Sequence, residues 1–164
     1  MPRAILSFSI AAILTIITLY NKVEHSLDFP RVLPAGLYFL VAFLITFRPK
    51  VAWSQILIFA GLSMVLWLVL FGVSYNLLFL FIAPVAGGLG AWLITVMSRR
   101  LLQLSLKKIT PIVITGVVAT LLGIVFMIAV KNLPKETFTM GLKTGVIAGL
   151  WQLGVGIQMA RLYR

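Results

Sequence analysis

From Val51 to Ser98 the chain carries no charged residue at all. A water-soluble domain does not tolerate such a stretch, because its surface is built largely from Asp, Glu, Lys and Arg. At roughly 20 residues per crossing of a ~30 Å hydrocarbon core, the run suffices for two membrane crossings with a tight turn between them. Gly72-Val-Ser-Tyr-Asn76 supplies that turn, since Gly and Asn accept the backbone geometry of a reversal.

The rest of the sequence has the same character. Of 164 residues 62% are hydrophobic and only 10% charged, with a mean hydropathy of +1.13, whereas about a quarter of a soluble domain is charged. The fold class that follows is all-α: a polytopic integral membrane protein, one transmembrane domain over residues 1–164 with no soluble domain. The apolar segments predict six helices, at about Ala4–Tyr20, Leu33–Phe47, Val51–Phe71, Leu77–Met97, Thr110–Val130 and Thr139–Ala160. Pro34 is expected to open the second and Pro111 the fifth, because the first helical turn needs no amide hydrogen from its leading residue. The second helix is the weak one. Its uncharged stretch, Val32 to Phe47, covers only ~24 Å at 1.5 Å per residue. Five spans result if it does not cross. Pro2-Arg3 and the apolar stretch behind it have the outline of a secretory signal. However, Thr18-Leu19-Tyr20 places bulky residues where cleavage wants small ones, so the segment reads as a retained first helix.

Fourteen basic residues face three acidic ones, for a net charge of +11. With short loops, the Lys and Arg distribution sets orientation. Six spans put Arg3, Arg48, Lys50, Arg99, Arg100, Lys107, Lys108, Arg161 and Arg164 on one side. Lys22, Arg31, Lys131 and Lys135 fall on the other, together with Glu24, Asp28 and Glu136. Nine against four places both termini in the cytoplasm, with the plasma (inner) membrane as the expected location. No aromatic-interleaved basic patch accompanies this charge, so nucleic acid is not an expected partner.

Much chemistry is ruled out. The chain has no cysteine, which removes disulfides, thiolate metal sites and cysteine nucleophiles. The single histidine, His25, lies between Glu24 and Asp28 in an outer loop, without the spacing of a metal motif. The expected spans contain no Asp, Glu or His, the groups that intramembrane catalysis and proton relays require. Neither an enzyme nor a bound cofactor or metal is expected.

Three constellations remain. Gly141, Gly145 and Gly149 form a GxxxGxxxG ladder continued by Gly156, with Gln152 on the same face. Such a face lets another helix approach closely, and Gln152 can hydrogen-bond across the contact. The partner is either a neighbouring helix of this chain or another subunit, including a second copy. In helix four, Pro84, Gly87, Gly88 and Gly90 weaken the helix where transporters often expose backbone to a solute, although a kinked helix packed on Gly116, Thr120 and Gly123 of helix five is the preferred reading. Lys143, the one ionisable residue inside an expected span, joins these four as a candidate solute site, its alternative being to snorkel to the outer interface. Finally, Arg99, Arg100, Lys107 and Lys108 flank alternating leucines. If helical, Arg99, Arg100, Gln103 and Lys107 share a face, and the segment lies on the membrane and holds anionic lipid headgroups or an acidic partner; the alternative is that these bases only set the topology.

The function these features suggest is a non-catalytic subunit or scaffold of a membrane complex, packing through small-residue faces. The alternative is a carrier or binding component for an apolar or lipid-like solute.

Overall fold

A computed structural model describes residues 1–20, 29–74, 79–129 and 140–163. Among these residues the chain is all helical: α1 (Pro2–Tyr20), α2 (Phe29–Phe47), α3 (Trp53–Ser74), α4 (Phe79–Leu101), α5 (Thr110–Ala129) and α6 (Met140–Leu162). Stretches long and apolar enough to cross a membrane occur in three of them, at Pro2–Leu19, Ile82–Leu101 and Thr110–Ala129; α2 and α3 carry shorter apolar stretches, Leu33–Phe47 and Trp53–Val69.

Side-chain contacts give the direction of every helix. Gly145 packs on Ile16, Gly149 on Ala12 and Gly156 on Phe8, so α1 and α6 are antiparallel. Gly88 meets Val117 while Ala91 meets Gly116, and Gly123 meets Ile147 while Gly154 meets Thr115, which makes both α4–α5 and α5–α6 antiparallel. On α2, Phe39 reaches Trp151 and Phe47 reaches Tyr163, so α2 runs parallel to α6. Phe43 stacks on Phe59 and Gly36 lies under Met64 and Trp67, so α3 opposes α2. The helices alternate in direction and close into a ring in which each touches its neighbours in sequence and α1 touches α6. The sixth helix also reaches across to α2 and α4, which makes it the most central.

Aromatic rings fill the space this leaves. Phe8, Phe39, Phe43, Phe59 and Trp151, all buried, form a continuous set with ring centroids 5.1 to 6.1 Å apart. Such tilted pairs contribute beyond area alone, about 0.5–1.5 kcal/mol each. The outward faces are also apolar, including Leu6, Ile13, Leu57, Val65, Leu122 and Val125, all exposed. That distribution is costly in water and suits hydrocarbon, which needs no polar cover. Four hydroxyls within the helices satisfy themselves locally: Thr95, Ser98, Thr115 and Thr120 each donate to the carbonyl four residues back, at 2.6 to 2.8 Å.

Several boundaries differ from the sequence reading. Pro34 does not open α2; it lies inside a helix that begins at Phe29. A proline five residues into a helix forfeits only one amide bond, and its ring displaces only the first turn. At Pro84, where the sequence allowed either a break or a helix packed on α5, α4 continues through to Leu101. Close packing on α5 holds the glycine-rich stretch in helical form there. At the other boundary, Pro111 is the second residue of α5, where the missing amide costs nothing.

The largest correction concerns the segment after α4. It is not a helix: Gln103 adopts a left-handed backbone (φ 53°), and residues 102 to 109 run irregularly to α5. Leu102, Leu104 and Leu106 turn inward and are buried, whereas Gln103, Ser105, Lys107 and Lys108 face out. This period of two is that of an extended chain. The segment is pinned to the end of α6 by an antiparallel bridge between Leu106 and Tyr163, with the Lys107 amide donating to the Leu162 carbonyl at 3.4 Å. Arg99, Arg100, Gln103 and Lys107 therefore share no helical face. The leucines instead close the base of the aromatic core.

Candidate functional site

The polar centre of the bundle lies at two consecutive residues of α6. Gln152 is completely buried, a cost that only full hydrogen bonding offsets. Its Oε1 accepts from Thr15 Oγ1 of α1 at 3.0 Å, and its Nε2 donates to the Ala35 carbonyl of α2 at 2.8 Å. One residue earlier, Trp151 donates its indole N–H to the Gly87 carbonyl of α4 at 2.8 Å, and its ring packs on Trp67 of α3. Consecutive residues on a helix point about 100° apart, which is why this pair can reach helices on opposite sides of α6.

Gly87 is the crowded point of this arrangement. A Cβ built there would run into Thr120 Oγ1 and come within 2.8 Å of the Gly116 carbonyl; a Cβ on Gly116 would lie 2.5 Å from the Gly87 carbonyl. The two glycines thus face each other reciprocally, each Cα hydrogen aimed at the other's carbonyl, a weak attraction that recurs at close helix contacts. Thr120 completes the junction by bonding the Gly116 carbonyl at 2.8 Å. Of the candidate solute residues, Gly87 and Gly88 therefore face α5, with Val117 filling the space beside Gly88. Pro84 is half-buried and Gly90 buried in the same helix. Lys143 belongs to α6, but its side chain lies outside the described residues, as do the surroundings of Gly141.

The glycine ladder of α6 faces α1. Gly145, Gly149 and Gly156 contact Ile16, Ala12 and Phe8 respectively, with Gln152 reaching Thr15 between them. Gly123 of α5 turns away from α4 and packs on Ile147 of α6. Gly61 of α3 differs from all of these: a Cβ there would meet nothing within 4 Å, and Leu57, Ile58, Leu62 and Val65 around it are exposed.

At the end of the bundle where α1, α3 and α5 begin, Arg3, Arg48, Lys50, Arg99, Arg100, Lys107, Lys108 and Arg161 are all exposed. Arg99 and Arg100 close the last turn of α4, where a helix C-terminus favours cations. With Val96 and Ile109 they line an open cleft of about 460 Å³. The three acidic residues and His25 lie outside the described residues, and among the described residues no cluster of metal-ligating side chains occurs.

Sequence reasoning found Gln152 and its face but not its partners. Thr15 was the available signal, one of four hydroxyls along α1 (Ser7, Ser9, Thr15 and Thr18), where hydrocarbon offers it no partner. The Trp151–Gly87 bond left no sequence signal, because its acceptor is a backbone carbonyl. Against known protein families, curated proteins and solved structures, the chain finds no match.

Proposed function

We propose that this chain is a six-span membrane protein with both termini in the cytoplasm, a non-catalytic subunit or scaffold that assembles with other membrane chains. The observation that carries the reading is the filled interior. Phe8, Phe39, Phe43, Phe59 and Trp151 occupy the centre of the helical ring, and Gln152 and Trp151 tie five helices to one another through hydrogen bonds and ring contacts. A bundle closed this way supports a rigid structural element rather than one that opens around a solute. The nine-to-four distribution of Lys and Arg along the sequence supports the cytoplasmic placement of that end.

The α6 ladder is taken up by α1, so a partner must dock elsewhere. The outer face of α3 is the natural place, since Gly61 leaves an open notch between exposed aliphatic side chains, and small residues let a second helix approach. The test uses the absence of cysteine in the chain. Single-cysteine variants Leu57→Cys and Val65→Cys, cross-linked in native membranes and purified in mild detergent, should each carry a stoichiometric partner identified by mass spectrometry. A lone chain bearing one small molecule per copy would refute the scaffold reading in favour of a carrier.

A further inference from the structure

We propose that the cleft between the end of α4 and the start of α5 holds one anionic phospholipid, its phosphate on Arg99 and Arg100 and its glycerol and first acyl carbons against Val96 and Ile109. This site does not depend on the scaffold reading.

Two observations carry it. The cleft, at about 460 Å³, lies within the usual range of small-molecule sites, about 300–1,000 Å³, and is far larger than an inorganic phosphate needs. Its walls divide by chemistry along the helix axis. All three residues belong to the stretch Ile82–Leu101, long and apolar enough to cross a membrane; Val96 lies where it is still uncharged, and Arg99 and Arg100 stand one turn further along, in its basic last turn. A lipid crosses that same boundary, phosphate on one side and hydrocarbon on the other. Arginine is suited to the task because its planar fork can bind two phosphate oxygens at once.

Lys107 and Lys108 provide the control. They are exposed and follow in the same connection, yet they do not line the cleft. A general attraction to an anionic leaflet would use all four bases alike; a built site uses the arginines.

The experiment titrates the full chain in mild detergent with phosphatidylglycerol or phosphatidylcholine and counts bound lipid by native mass spectrometry. One phosphatidylglycerol per chain should bind at concentrations where phosphatidylcholine does not. Arg99→Gln with Arg100→Gln should weaken that binding roughly 100-fold, the loss of two charge-assisted hydrogen bonds to the phosphate. Lys107→Gln with Lys108→Gln, the same change in charge at exposed side chains outside the cleft, should weaken it less than about tenfold. Val96→Phe fills the cleft from its apolar wall and should weaken it with no change in charge. Equal losses from the two double variants, equal binding of the two lipids, or full binding to Val96→Phe would overturn the proposal. Displacement of the lipid by millimolar inorganic phosphate would overturn it too, by assigning the arginines to a free anion.

Discussion

Replacing Gly116 by alanine places a methyl group between α4 and α5 where the backbones already touch. Its carbon would sit 2.5 Å from the Gly87 carbonyl oxygen and 2.7 Å from Ala91 Cβ. A carbon–oxygen contact of this kind settles at about 3.3 Å or more, so α4 must retreat by roughly 0.8 Å. Backbone cannot rotate aside as a side chain can. The displacement therefore falls on the whole seam, including Gly88 against Val117, and on the hydrogen bond from Trp151 to the Gly87 carbonyl. Overpacking of this sort costs about 1–3 kcal/mol, and weakening one buried hydrogen bond adds about 1. Alanine returns up to about 1 kcal/mol in helix propensity. The net expectation for Gly116→Ala is a loss of about 2 kcal/mol.

Two further glycines make this a graded series. Around Gly149 a Cβ would lie 3.1 Å from the Ala12 carbonyl and from the Ile16 side chain, a misfit of a few tenths of an ångström that the end of Ile16 relieves by turning and α1 by a small shift at Ala12. Around Gly61 it would meet nothing. Gly149→Ala should cost less than about 1 kcal/mol, and Gly61→Ala should be neutral or slightly stabilising. Unfolding in mixed dodecylmaltoside–SDS micelles, followed by the fluorescence of the four tryptophans, measures all three. Gly116→Ala within about 0.5 kcal/mol of the parent, or Gly61→Ala as damaging as Gly116→Ala, would refute the packing argument.

Four other outcomes are expected. Gln152→Leu removes bonds to α1 and α2 and should lower stability by about 1–2 kcal/mol, with a coupling of about 0.6 kcal/mol to Thr15→Val in a double-mutant cycle. Ser63, whose Oγ is buried with no hydrogen-bond partner, should tolerate alanine with no loss and up to about 1 kcal/mol of gain in the same assay. In the connection after α4, cysteines introduced at Gln103 and Ser105 should react rapidly with a water-soluble maleimide, while those at Leu104 and Leu106 stay protected; uniform labelling would refute the inward leucine arrangement. Gln103→Gly should stabilise by about 1 kcal/mol by relieving its left-handed backbone, as read from the detergent unfolding midpoint.

Composition and the charge-free run from Val51 to Ser98 were enough to read helices, their number and the solvent that suits them, because hydrocarbon leaves a spanning backbone so few ways to satisfy its own hydrogen bonds. The same economy made the α6 ladder and Gln152 legible as a packing face. Sequence alone could not say which helix fills that face, since every apolar helix offers a similar surface; only the closed ring brings α1 to it. Nor could it decide the fate of Pro84 and its glycines, whose weakness for helix formation is local while the α5 surface that overrides it is 25 to 33 residues away in sequence. The leucines at 102, 104 and 106 were visible as alternation, but the direction they turn depends on a core to receive them, and on the end of α6 to hold the chain extended. Local periodicity reports what a segment prefers, and tertiary contact decides which preference is met.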